Sequence, residues 1–132
     1  MVYLLKNLIV KTIVITLASI VSLLAITFGA LTVFTPKTLG GFFDGVGSYS
    51  AAVFFYDLQY EKTGDIEDLA VLVDQTYGQE DTANAKKYLS IMLKHKDFES
   101  YGSKVIGQNF DGSDFTLKDY YLGLNEKLNV KK

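Results

Sequence analysis

The chain opens with a long apolar stretch, and its remaining residues alternate apolar and polar positions with helical spacing. Residues 12–35 carry no charge, and as a helix they would be about 36 Å long. About 20 such residues cross a hydrocarbon core of roughly 30 Å. Lys11 and Lys37 bracket the stretch, and Pro36 is typical of the position just past a helix end. We therefore predict a transmembrane helix over 12–35, after a lead-in of residues 1–11.

A cleaved signal peptide and a buried core helix are the two alternatives for this stretch. A signal peptide has a shorter apolar region, of roughly 7–15 residues, and a small-x-small cleavage site. The nearest candidate here, Phe28-Gly29-Ala30, has a large residue at the first small position. A core helix of this length seldom lacks a polar face. The pattern therefore favours a retained membrane anchor.

The charges that flank the predicted helix indicate its orientation. Lys6, Lys11 and the N-terminus precede it, whereas Lys37 follows it and is soon joined by Asp44. Positively charged flanks tend to stay in the cytoplasm. We therefore expect a cell-membrane protein with a cytoplasmic N-terminus and a C-terminal domain outside the cytoplasm.

Residues 36–47 are predicted to form a juxtamembrane linker. Its glycines make it pliable, and Phe42 and Phe43 lie between them. Two interpretations stay open for this pair of aromatic rings. They can contact the membrane interface, although aromatic belts favour Tyr and Trp, or they can begin the core of the following domain.

Residues 48–132 show apolar positions at three- and four-residue spacing, which predicts a helical domain. Three helices are predicted, over about 48–63, 65–78 and 82–95. Gly64 suits the left-handed position that commonly follows a helix. Beyond them the pattern weakens among several glycines before a last helical segment.

That last helix is predicted to begin near Ser113 or Asp114, and Lys131–Lys132 are expected to form a frayed end. The predicted fold class is therefore all-α. One N-terminal transmembrane helix precedes a small α-hairpin domain.

The turn between the first two predicted helices resembles a tetratricopeptide (TPR) hairpin. In that superfamily the first helix commonly ends in Tyr four residues before a Gly, and Asp and an apolar residue open the second. The residues that match are Tyr60, Gly64, Asp65 and Ile66. The positions that depart from the family's small residues and Pro are Asp57, Leu69 and Asp81. The resemblance covers about one hairpin and implies a TPR-like architecture without an activity.

The whole chain also resembles small uncharacterised single-pass membrane proteins of low-GC bacteria. This second resemblance implies a location at the membrane and supplies no activity.

Charge narrows the class of partner. All 15 acidic residues lie at or after Asp44, and the ten lysines beyond residue 37 leave that part with a formal net charge of −5. Acidic surfaces repel phosphate backbones, which argues against nucleic-acid binding.

Candidate chemistry is sparse. The chain has no Cys, and His95 is its one histidine, so a zinc site would need carboxylates for its other ligands. Asp111 and Asp114 are interpreted as turn and cap residues, because a calcium loop would need further ligands and a final Glu. No set of residues converges on a catalytic pattern. We expect a protein that is not an enzyme and has no metal or cofactor.

Tyrosine is the surplus residue type among the candidates for binding. Eight of the nine tyrosines follow the membrane stretch, and most lie on predicted inward faces, where core packing is the first interpretation. Tyr is also enriched at protein interfaces, so a partner groove is the second. The tyrosines predicted to contribute to such a groove are Tyr49, Tyr56, Tyr60, Tyr77 and Tyr88.

Two functional hypotheses follow. The first is a membrane-anchored, non-enzymatic protein–protein interaction module, which its tether keeps near membrane partners. The second is an accessory subunit of a transporter, secretion or envelope complex, held through its transmembrane helix. Small residues at three- and four-residue spacing let helices approach closely, and those of this helix are Ala18, Ser22, Ala25 and Gly29. Either hypothesis allows a protein partner or a second copy of the chain.

Overall fold

The computed structural model describes residues 1–130, and these fold into seven α-helices and one two-stranded antiparallel sheet. In chain order the elements are α1 (Val2–Phe34), α2 (Pro36–Gly45), α3 (Tyr49–Thr63), α4 (Ile66–Gly78), α5 (Thr82–Leu93), α6 (Phe98–Gly102), β1 (Val105–Gln108), β2 (Asp114–Thr116) and α7 (Leu117–Leu128). The prediction of a mostly helical chain is confirmed. The predicted frayed end at Lys131–Lys132 lies outside the described residues.

Helix α1 is long and apolar enough to cross a membrane. It begins at Val2, so the predicted lead-in of residues 1–11 belongs to the same helix, and none of its residues is buried. Five of its hydroxyl groups donate to carbonyl oxygens one turn earlier, as Thr16 does to Thr12 at 2.8 Å and Thr27 to Leu23 at 2.9 Å. Because these groups are already paired within the helix, they are compatible with an apolar environment.

The structure has a helix where the sequence predicts a pliable linker over residues 36–47. Pro36 occupies the first position of α2, where its missing N–H breaks no helical hydrogen bond. Leu39 and Gly40 are buried, and α2 packs extensively on α3. A Cβ at Gly40 would lie 2.8 Å from ring carbons of Tyr56. Glycine at position 40 therefore permits close packing of two helices, which the sequence interpretation took for flexibility.

The hydrophobic core of the domain lies between α3, α4, α5 and α7. Helix α4 is central to it, with Leu69, Leu72 and Val73 fully buried. Leu89 and Met92 of α5 are buried against it. Helix α7 closes the core on the remaining side. A hairpin of α3 and α4 alone would leave these apolar faces in water, so the later helices are needed to cover them.

The three helices predicted after the linker are confirmed to within about two residues at each end. Gly64 adopts the left-handed conformation, with φ of 66°, and ends α3 directly before α4. Asp81 caps α5 by accepting a hydrogen bond from the backbone N–H of Asn84. Helices α3 and α4 therefore form a hairpin at the predicted turn, and its TPR-like character stays a prediction.

A short β-hairpin occupies the segment where the helical pattern weakens. Strands β1 and β2 pair antiparallel, and Gly112 in their connection has φ of 86°. The carboxylate of Asp111 accepts hydrogen bonds from the backbone and side chain of Ser113, at 2.9 and 2.6 Å. Asp111 is therefore a turn residue, and the final helix starts later than predicted, at Leu117, with Thr116 as its cap.

Candidate functional site

The five tyrosines predicted to line a groove lie in different parts of the domain. Tyr56 and Tyr88 are buried, with 9% and 5% of their surface exposed. Tyr49, Tyr60 and Tyr77 are half-buried. Tyr56 packs beneath α2, Tyr49 and Tyr88 lie between α3 and α5, and Tyr77 lies beside α7. The structure therefore brings two of the five together and does not place all five in one groove.

Tyr49 and Tyr88 connect neighbouring helices through carboxylates. The Tyr49 hydroxyl donates to Oδ2 of Asp81 at 2.6 Å, and the Tyr88 hydroxyl donates to Oδ1 of Asp57 at 3.1 Å. Burial and the adjacent carboxylates raise the pKa of both hydroxyls, that of Tyr88 to about 12. Both groups are protonated donors at neutral pH, so they act as cross-links between α3 and the α5 region.

We expect the cross-link at Asp81 to stabilise the domain at neutral pH and to be lost in acid. Hydrogen bonds from Tyr49 and Asn84 lower the pKa of Asp81 below its ordinary 3.8. A carboxylate with a depressed folded-state pKa contributes stability above its unfolded pKa, and that contribution disappears as the pH falls through the folded pKa. An Asp81→Asn chain should therefore be less stable at pH 7 and match the unmodified chain in strong acid.

Urea unfolding of both chains in non-ionic detergent measures this effect. Circular dichroism is the readout, and the free energy of unfolding is determined at a series of pH values from 7 downward. Asn is as good a helix cap as Asp, so the substitution removes the charge and keeps the cap. A Tyr49→Phe chain is the second comparison, since it removes the donor and keeps the ring. Identical stability of Asp81→Asn and unmodified chains across the whole pH range would contradict the assignment.

Tyr77 borders open space on the side of the domain formed by α4 and α7. A groove of about 570 Å³ on one side of its ring is lined also by Glu80 and Leu128. A second, of about 290 Å³, runs past Tyr120 on α7. The ammonium of Lys127 lies 5.7 Å from the centroid of the Tyr77 ring. We name this region, defined by Tyr77, Tyr120, Lys127 and Leu128, the Tyr77 groove.

The α7 residues of the Tyr77 groove are not among the partner-binding residues predicted from the sequence. Tyr120, Lys127 and Leu128 recur at seven- and eight-residue spacing, which places them near one face of a helix. That signal was available, but the sequence could not show that this face lies beside α4. The predicted role of Tyr77 at a partner surface stays a prediction.

The small-residue face of α1 is open along its length. Ala18, Ser22, Ala25 and Gly29 are all exposed, and a Cβ added at Gly29 would meet no neighbouring atom within 4 Å. The domain contacts α1 through Phe28. By helical geometry, Phe28 points roughly 90° around the helix axis from the stripe that these four small residues form. The domain therefore leaves this face free for another helix or for lipid.

A cluster of phenylalanines joins α1 to the hairpin of α2 and α3. The Phe28 ring stands edge-on to Phe43 and Phe55, at centroid distances of 6.4 and 5.8 Å, and those two rings stack at 5.4 Å. Phe43 is half-buried against the core, whereas Phe42 and Phe54 are 60% and 57% exposed. Of the two adjacent rings in α2, one therefore begins the core and the other faces outward.

Lys62 joins the end of α3 to the end of α1. Its Nζ donates to the carbonyl oxygens of Val33 at 3.2 Å and Phe34 at 2.8 Å. These are among the carbonyls that lack a partner at a helix C-terminus, and a cation there also complements the helix dipole. Together with the Phe28–Phe55 contact, this bond holds α3 against α1 at two levels.

His95 has a structural setting at the end of α5. Its Nε2 lies 2.7 Å from the carbonyl oxygen of Gly64, and its Nδ1 accepts a hydrogen bond from the backbone N–H of Asp97 at 3.0 Å. Both ring nitrogens are used in joining the α3–α4 turn to the α5–α6 turn. Within residues 1–130, no three His, Asp or Glu side chains group in a way that could hold a metal ion.

Similarity to other proteins gives no guide to function. The chain matches no family model, no curated protein sequence and no solved structure. The exposed surface of α1 and the Tyr77 groove are therefore the features from which a function can be inferred.

Proposed function

We propose that the protein is a single-pass membrane protein whose helical domain is a non-enzymatic protein–protein interaction module. The observation that carries this proposal is that α1, although almost wholly apolar, has no buried residue. A core helix of a water-soluble protein would be covered by its own domain. An uncovered apolar surface of this length needs lipid or other helices around it, and a bilayer supplies that cover.

The helical domain is proposed to lie outside the cytoplasm. Lys6 and Lys11 near the start of α1 support a cytoplasmic N-terminus. The hairpin of α3 and α4 would then be a TPR-like unit, completed by α5 and α7, that is held close to the membrane surface. Such a tether raises the local concentration of the domain for partners in the same membrane.

The surface proposed to bind a protein partner is the Tyr77 groove. It offers an aromatic ring, a cation beside that ring and apolar rims on α7, which is the mixture typical of protein interfaces. Tyr49, Tyr56 and Tyr88 are engaged by neighbouring helices and do not belong to this surface. The groove needs no catalytic group to act in this way.

A second candidate function is that of an accessory subunit held in a membrane complex through α1. The open stripe of Ala18, Ser22, Ala25 and Gly29 supports it, because small residues allow close helix contacts in lipid. A transmembrane helix of a larger subunit, or of a second copy, would fit against this face.

Exchange of the membrane helix tests which part of the chain binds. Residues 12–34 are replaced by a leucine-rich helix of equal length that keeps Phe28, and partners are crosslinked in membranes and identified for each chain. We expect the exchanged chain to capture the same partner as the unmodified chain. We also expect Tyr77→Ala to abolish capture, whereas the control Lys86→Ala, an exposed change on α5, should not. Loss of capture on helix exchange, with capture retained by Tyr77→Ala, would favour the accessory subunit instead.

A further inference from the structure

We propose that the turn between α2 and α3 is a second membrane contact, which dips into the lipid interface on the domain's side of the bilayer. The contact surface consists of Phe42, Val46 and Phe54, which we name the apolar tip. Their side chains are 60%, 63% and 57% exposed. The inference rests on the proposed function in one respect, which is that α1 crosses a bilayer.

The position of Phe28 on α1 sets the depth of the surrounding residues. Lys11 is the last charge before the apolar stretch and marks the hydrocarbon border on the N-terminal side. About 20 helical residues span a hydrocarbon core of roughly 30 Å, so the opposite border lies near Leu31. Phe28 comes one turn earlier, which puts it about 4.5 Å inside that border.

Helix α3 lies beside α1 and brings the turn to this depth. The ring of Phe55 lies 5.8 Å from that of Phe28, and Nζ of Lys62 lies 2.8 Å from the carbonyl oxygen of Phe34. These two contacts are separated by about 9 Å along α1 and about 10.5 Å along α3. The two helices therefore run side by side in the same direction, and Phe54 lies at the level of Phe28.

Helix α2 reaches the same depth from the other direction. Phe43 lies 6.4 Å from Phe28 between ring centroids, and its neighbours Phe42 and Val46 lie one turn apart on an outward face. Asp44, between them, is directed to the domain, where it accepts a hydrogen bond from Gln75 at 2.7 Å. The Asp44 carboxylate is therefore engaged by the domain, and Asp81, the other carboxylate near this turn, accepts the hydrogen bond of the Tyr49 hydroxyl at 2.6 Å.

The sequence of the turn is suited to an apolar setting. Residues 45–56 carry no charge, so this segment itself brings no ion to the interface, and the nearby carboxylates of Asp44 and Asp81 are both hydrogen-bonded within the domain. The tip is also continuous with the apolar surface of α1 through the Phe28 cluster, so lipid that surrounds α1 also reaches it. Isolated exposed apolar residues are ordinary, but a patch that adjoins the spanning helix has the bilayer as its neighbour.

Single tryptophans test the depth of the tip directly, because the chain has no natural Trp. Full-length Phe42→Trp and Phe54→Trp chains are reconstituted in phosphatidylcholine vesicles that contain lipids brominated near the top of the acyl chain. The matched control is Leu122→Trp, at a 40% exposed position on α7, a helix that packs on α5 and α6. If the tip lies within roughly 5–10 Å of the acyl-chain boundary, brominated lipid should quench its Trp about threefold more than the control. Aqueous iodide should quench in the opposite order.

Three other outcomes would overturn the proposal, and they can be told apart. If the chain is bound to the vesicles but iodide quenches the tip Trp and the control Trp equally, the tip lies in water. Protection from iodide that disappears when the protein is diluted into excess lipid would assign the tip to a second copy of the chain. A chain that does not float with vesicles at all would contradict the membrane-spanning role of α1, and with it the proposed function. Two tip variants are used so that a folding defect in one leaves the other to decide.

Discussion

Three aspartates in the middle of α1 are expected to move the chain from the membrane fraction to the soluble fraction. The substitutions are Leu17→Asp, Ile20→Asp and Leu24→Asp, at side chains that are 57%, 49% and 64% exposed. Each charge at the centre of a membrane helix costs about 2.5–3.5 kcal/mol on insertion scales, so the three together oppose insertion by about 9 kcal/mol. Because α1 contributes no buried residue, the helical domain should stay folded.

Partition after ultracentrifugation at alkaline pH measures this effect, with circular dichroism as the check on folding. The matched control carries alanine at the same three positions, which keeps the helix uncharged, and it should stay in the membrane pellet. Retention of the triple-aspartate chain in that pellet would contradict a membrane-spanning α1. So would an unmodified chain that is monomeric in buffer without detergent.

Gly40→Ala is expected to destabilise the domain, whereas Gly41→Ala should not. A Cβ at position 40 would lie 2.8 Å from two ring carbons of Tyr56, a buried side chain with little room to move. At position 41 the nearest atom outside the helix is the Tyr56 hydroxyl oxygen, 3.9 Å away, which is an ordinary contact. Overpacking of this kind costs about 1–3 kcal/mol. Both substitutions raise the helix propensity by a similar amount. The difference in stability between the two variants therefore reports the overpacking at position 40.

Thermal unfolding of both variants in the same detergent measures this difference. For a domain of this size, 1 kcal/mol shifts the Tm by about 4–8 °C, so Gly40→Ala should melt well below Gly41→Ala. A Gly40→Ala chain that also carries Tyr56→Leu should recover part of the loss, because the smaller side chain makes room. Equal melting of the two single variants would show that α2 does not pack on α3 as closely as described.

Local signals were sufficient for the helices whose ends are marked by capping residues. Gly64 ends α3 in a left-handed conformation and Asp81 caps α5, and both roles follow from backbone chemistry that involves only neighbouring residues. The charge-free stretch of α1 needed no tertiary information either, because its length and composition alone match a bilayer. The β-hairpin was missed because its strands, four and three residues long, are too short for a periodic pattern.

The candidate surfaces could not be predicted from the sequence, because they are formed by contacts between residues that are far apart along the chain. A stripe of tyrosines on a helix has the same sequence pattern whether it enters a core or a groove. Packing between α3 and α5 buries Tyr88, whereas Tyr77 lies beside α7 at an open edge. The same holds for Phe42 and Phe43, which are adjacent in sequence but differ in their surroundings. Periodicity gives the face of a helix, whereas burial depends on what packs against that face.

The sequence by itself determined that this protein has one apolar helix long enough for a bilayer and a helical domain with a net negative charge. Those properties are sums over local residues, so no partner in space is needed to predict them. The tertiary structure decided that the glycine-rich segment is a helix, that Gly40 is a packing position, and that Phe54 lies level with Phe28. Each of these depends on the distance between residues far apart along the chain, and the close packing of helices sets that distance.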